Sequence, residues 1–89
     1  MNQQLVCIID LFDQEQQVYH QREDGKMVLL CSTNLSELDR TLIEFCKAEK
    51  VNKVHLYGQE LYICEIKASM LQYARNEYGF ENEIEIEVN

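Results

Sequence analysis

Apolar positions along the chain alternate between short runs and helical stripes, with polar punctuation between them. Leu5-Val6-Cys7-Ile8-Ile9-Asp10-Leu11-Phe12 is apolar on both alternating sets and β-branched in its middle, which suits a central strand. Asp13-Gln14-Glu15 ends it. Gln16 to Gln21 follows as a more polar strand, and Asp24-Gly25 supplies the positive-φ residues of a tight hairpin turn into Lys26-Met27-Val28-Leu29-Leu30-Cys31. Three strands joined by short turns form an antiparallel meander.

The period then changes. Ser32-Thr33-Asn34 before Leu35 reads as a helix start, with Asn34 and Glu37 placed to satisfy each other's free N–H groups. Leu35, Leu38, Leu42, Phe45 and Cys46 recur at steps of three and four, leaving Asp39, Arg40, Glu44 and Lys47 on a wet face. Lys47 and Lys50 complement the negative end of that helix. Lys53-Val54-His55-Leu56-Tyr57 is a fourth strand closed by Gly58. The spacing predicts a second helix from Gln59 to Tyr78, with Ile63, Ile66, Met70, Tyr73 and Ala74 along one stripe and Gly79 as a left-handed stop. Glu83-Ile84-Glu85-Ile86-Glu87-Val88 alternates with period two, the signature of a strand wet on one side only.

The expected fold is therefore a single α/β (α+β) domain over residues 1–89, β-β-β-α-β-α-β, built on a five-stranded mixed sheet of order 3-2-1-4-5. In that order both crossovers travel the same way across the sheet. Right-handed connections, favoured in about 98% of cases, then place both helices on one face. The other face is left open. With one alternating set of each strand turned towards it, Val6, Ile8, Val28, Leu30, His55 and Tyr57 are the expected interface residues, an apolar patch of the kind that monomers seldom leave bare.

This element order resembles the core of the ribonuclease H-like fold, also found in halves of actin-like ATPases, over nearly the whole chain. The resemblance places Asp10, at the end of the first strand, where nucleases of that superfamily carry a metal-binding aspartate. It implies further carboxylates from the first helix and from the end of the fourth strand, holding two Mg²⁺ ions for phosphodiester hydrolysis. Glu37 and Glu60 are the candidates here, although the fourth strand itself ends in Tyr57-Gly58 with no acid. Asp10-Leu11-Phe12-Asp13 lacks the Gly, Ser and Thr of a phosphate loop. The plainer reading gives Asp10 a turn-capping role.

Composition narrows the classes of function. Sixteen acids against eight bases give a formal charge of −8, and the C-terminal third, residues 59–89, carries −5 of it. Such a surface repels phosphate backbones and anionic lipid, so direct nucleic-acid or membrane binding is not expected. Glu81, Glu83, Glu85 and Glu87 form either a solvated edge that resists aggregation or a surface imitating nucleic-acid phosphates. The four cysteines, Cys7, Cys31, Cys46 and Cys64, show no zinc-finger spacing. They read as packed free thiols in a reducing cytoplasm, and Met1-Asn2-Gln3-Gln4 has no signal-peptide character. His20 and His55 have no ligating residue at metal spacing, so no metal or cofactor is expected.

The function expected from sequence is that of a small acidic cytoplasmic protein. It acts without catalysis, through protein contacts, as a homodimer or with another protein across the open sheet face. The alternatives are an acidic mimic or inhibitor of a host nucleic-acid enzyme, of the kind a phage encodes, and a minimal or degenerate metal-dependent nuclease.

Overall fold

The computed structural model describes residues 3–10, 12–58, 60–79 and 84–89, without the side chains of Glu60, Glu77 and Tyr78. Five strands, β1 (Gln4–Ile8), β2 (Gln16–Gln21), β3 (Met27–Thr33), β4 (Lys53–Tyr57) and β5 (Glu85–Val88), are joined with helices α1 (Leu35–Glu49) and α2 (Glu60–Tyr73) in the order expected from sequence. The sheet order is β3-β2-β1-β4-β5, with β2 antiparallel to both neighbours and β4 parallel to β1 and to β5.

One core joins the helices to one side of the sheet. Leu5, Cys7, Val18, Val54, Leu56 and Ile86 pack with Leu38, Leu42, Ile43 and Cys46 of α1 and with Ile63, Ile66 and Met70 of α2. Those strand residues are opposite one another in register, so they share a single face. Both helices cover that face, as the right-handed crossover rule requires. Ile43 is fully buried although it lies off the helical stripe read from sequence.

Local chemistry sets the element ends. Asn34 caps α1 through a hydrogen bond from the Glu37 N–H at 3.1 Å, and the Ser36 hydroxyl donates to the same Asn34 oxygen at 2.7 Å. Lys50 closes that helix in a left-handed conformation, its N–H donating to the Cys46 carbonyl. The expected second helix divides: α2 is regular to Tyr73, and Ala74–Tyr78 continues as a π-helical turn stopped by Gly79, whose N–H reaches the Ala74 carbonyl at 2.7 Å. The first strand is shorter than its apolar run, because the chain turns at Asp10. Ile9 still donates to the Tyr57 carbonyl at 2.8 Å.

Two other boundaries move. The third strand runs on to Thr33, with a bulge that leaves Leu30 unpaired: Val18 is opposite Cys31, while the next residue, Tyr19, is opposite Leu29. The fifth strand begins at Glu85; the expected start at Glu83 falls outside the described residues.

Candidate functional site

The open face of the sheet is built by the set of strand residues that does not meet the helices. Register fixes its members. Val6 is opposite Tyr19 on β2 and His55 on β4; Tyr19 is opposite Leu29 and Gln21 opposite Met27 on β3; Ile8 is opposite Tyr57, and His55 opposite Glu87. Val6 and Ile8, expected at the interface, lie on this face with His55 and Tyr57. Val28 and Leu30 do not. Val28 is opposite His20 and shares the side of Leu5, while Leu30, lifted out of register by the bulge, packs against the core. Met27 and Leu29 take their places. Alternation alone leaves the two sets of β3 equivalent; only the pairing through β2 chooses between them.

The face has two halves of different character. On β1, β2 and β3 its members are Gln4, Val6, Ile8, Gln17, Tyr19, Gln21, Met27, Leu29 and Ser32, and none of these is charged. The chain as a whole carries 24 acidic and basic residues out of 89, so this is a marked depletion. Val6 is only 5% exposed, shielded by its neighbours, whereas Ile8, Leu29 and Met27 are 57%, 52% and 46% exposed. Val6, Ile8, Gln21, Met27 and Tyr57 line a shallow hollow of about 530 Å³. The Gln4 amide donates to Gln21 Oε1 at 2.6 Å, which holds the rim of this half together.

The β4–β5 half is charged. Lys53 Nζ lies 2.9 Å from Glu87 Oε1, and His55 Nδ1 lies 3.5 Å from Glu87 Oε2. The hydrogen bond from Lys53 holds the Glu87 carboxyl below the usual glutamate range and raises the Lys53 ammonium above the usual lysine range. The His55 ring stacks on Tyr57 with centroids 4.2 Å apart. Glu87 is therefore engaged by a cation. Glu85 is exposed on the same strand, and Glu81 and Glu83 of the expected acidic surface lie outside the described residues.

The acids considered for metal chemistry have other surroundings. Asp10 Oδ1 accepts from the Phe12 N–H at 3.0 Å, a turn-capping bond. The buried amide of Gln16 accepts from the Asp10 N–H and donates to the Asp10 carbonyl, both at 2.8 Å. Glu37 occupies the first turn of α1, where its charge favours the helix dipole, and the Glu60 side chain is outside the description. Among the described residues no group of three His, Cys, Asp or Glu side chains is arranged to hold a metal ion.

The remaining sequence candidates are structural. His20 is buried on the helix side, with Nε2 2.7 Å from Gln3 Oε1. All four cysteines are free thiols, but against the expected packing only Cys7 and Cys46 are buried; Cys31 is half-buried and Cys64 is exposed, because it lies on the face of α2 turned away from the core. Cys7 and Cys31 are both opposite Val18, on strands either side of β2. Two strand spacings, roughly 9.5 Å, separate them, too far for a disulfide. Burial pushes the Cys7 and Cys46 thiols up to about 12, which leaves almost no reactive thiolate near neutral pH. Among the described residues no helix is long and apolar enough to cross a membrane.

No protein-family model and no curated protein matches this chain.

Proposed function

We propose that this protein acts without catalysis, through protein contacts, and that it self-associates by packing the β1–β3 half of its open face against the same surface of a second copy. The observation that carries this reading is the neutrality of that half-face in a chain of charge −8. Depletion of charge around an apolar centre with aromatic side chains is the compositional mark of an interface core.

The chemistry of the patch favours a second copy as the partner. Its polar members are glutamines, a tyrosine and a serine, each with both a donor and an acceptor, so the surface is complementary to itself under a twofold axis. A charged patch would repel its copy. Three strands about 4.8 Å apart and roughly 20 Å long project only about 300 Å² per copy, which belongs with weak, transient contacts.

Sedimentation equilibrium over a concentration series is the test. The expected result is a reversible monomer–dimer equilibrium that Leu29→Asp or Ile8→Asp shifts to monomer while the far-UV spectrum is unchanged. A wild-type protein that stays monomeric into the high micromolar range would overturn the reading.

A further inference from the structure

The helical layer carries a groove of its own. It lies between α1 and α2, has a volume of about 370 Å³, and takes its described lining from the two helices alone, so it is on the helix side of the molecule and apart from the open sheet face. Leu35, Tyr62 and Ile66 give it an apolar surface. Asp39 stands on the α1 wall and Glu65 on the α2 wall; the other described lining residues are serines, and none is basic. Further along, the Tyr73 hydroxyl donates to Glu44 Oε1 at 3.4 Å and ties the two helices together.

Two features point to an occupant. Asp39 is half-buried and Glu65 exposed, yet among the described residues neither carboxylate has a cationic partner; Asp39 Oδ1 accepts from the Arg40 main-chain N–H at 2.8 Å. Tyr62, 42% exposed, turns aromatic surface to the same space, and Leu61, 81% exposed, lies one helical turn before Glu65 on α2.

Apolar surface flanked by two unpaired carboxylates fits a side chain with an aliphatic stem and a cationic head. Phosphates of nucleic acid or of a lipid headgroup would be repelled. An uncharged apolar side chain would strip water from both acids and return no hydrogen bond. A second copy brings a net charge of −8 towards acids that already lack a partner.

We propose that this groove docks a foreign protein segment through an arginine side chain, as a site separate from the self-association surface. The shape of the cation favours arginine over lysine: a planar guanidinium stacks on an aromatic ring while its fork of five N–H groups serves more than one acceptor. Leu61 supplies the second anchor. An apolar residue one helical turn from the arginine covers it, the spacing with which amphipathic helices lie in grooves.

An NMR titration of the isotope-labelled whole chain tests the site. With N-acetyl-arginine methylamide, saturable shifts are expected at Asp39, Glu65 and Ser69. The citrulline analogue, close in shape but uncharged, should bind at least about tenfold more weakly, the loss expected when charge-assisted hydrogen bonds are removed. Asp39→Asn combined with Glu65→Gln should lose the binding, whereas Glu23→Gln combined with Glu49→Gln, which removes the same charge away from the groove, should keep it. Ser69→Trp leaves every acid in place but fills the groove, and it should also abolish binding. A helical peptide carrying leucine and arginine one turn apart should bind at least about tenfold more tightly than the arginine amide, the factor that 1.4 kcal/mol from the second anchor supplies.

Equal binding of the citrulline analogue, or equal weakening by the two double variants, would reduce the effect to diffuse attraction and overturn the site. Equal affinities of peptide and amide would overturn the protein partner. Groove shifts that grow with protein concentration alone would place a second copy there instead of a foreign segment. Ile8→Asp, on the open face, should leave the titration unchanged, so failure of the self-association reading and failure of this site are seen separately.

Discussion

Glu87 shows how one residue can be assigned to the right face and still be misjudged. Alternation along the last strand separates Glu85 and Glu87 from Ile84 and Ile86, and the two isoleucines are buried as that pattern requires. The pattern does not reveal that Lys53 reaches across from the neighbouring strand to Glu87. The pH dependence of this pair has a definite sign. The Glu87 pKa is lowered in the folded state, so its contribution to stability is present above the ordinary glutamate range and is lost as pH falls through the folded value. The Lys53 pKa is raised, so its contribution is complete below the ordinary lysine range and is lost as pH rises through the folded value. Thermal melts of wild type and Glu87→Gln should therefore differ by a small, constant amount around neutrality and converge in acid. A difference that grows on acidification would contradict the pairing. Asp10 gives the complementary lesson. Its position in the sequence admits metal binding or turn capping, and its bond to Phe12 together with the grip of Gln16 on its backbone accounts for the second role.

Among the elements, the end of β4 is tightly constrained. Gly58 sits at φ +144°, and a Cβ there would lie 2.8 Å from the Ile9 carbonyl oxygen and 3.2 Å from the Ile9 side chain. Ile9, just past the end of β1, passes directly beside it, so its backbone would have to move. Gly58→Ala is expected to destabilise the protein by about 1 to 3 kcal/mol, read as a lower urea midpoint at unchanged slope. Gly25 and Gly79, at φ +87° and +70°, have open space around the same position, so Ala there meets backbone strain alone, and the loss at Gly58 should exceed theirs. The glycines were legible as punctuation in the sequence, but the close approach of Ile9 was not, because those residues are far apart in the chain. The same limit explains β3. Its exposed set depends on pairing with β2 and on the bulge at Leu30, neither of which leaves a local signal in Met27 to Thr33.

At the scale of the molecule, charge separates self-association from nucleic-acid mimicry. Two copies of charge −8 repel each other whichever surfaces meet, and added salt screens that repulsion, with a Debye length of about 10 Å at 0.1 M. Association through the neutral half-face should therefore strengthen as sodium chloride is raised, as followed by sedimentation. An acidic mimic bound to a basic groove does the reverse and weakens with salt. Dissociation of the wild-type oligomer by moderate salt would remove the central argument for a neutral interface.

Element order, the helix start at Asn34, the core stripes of both helices and the one-sided coverage of the sheet were all determined by the sequence. Each follows from local periodicity, from caps or from the handedness of parallel crossovers. The tertiary structure decided which set of β3 residues faces outwards, which acid meets a lysine, and where the uncharged surface lies. Those outcomes depend on register between distant strands, and a slip of one residue exchanges the two faces without changing the local pattern.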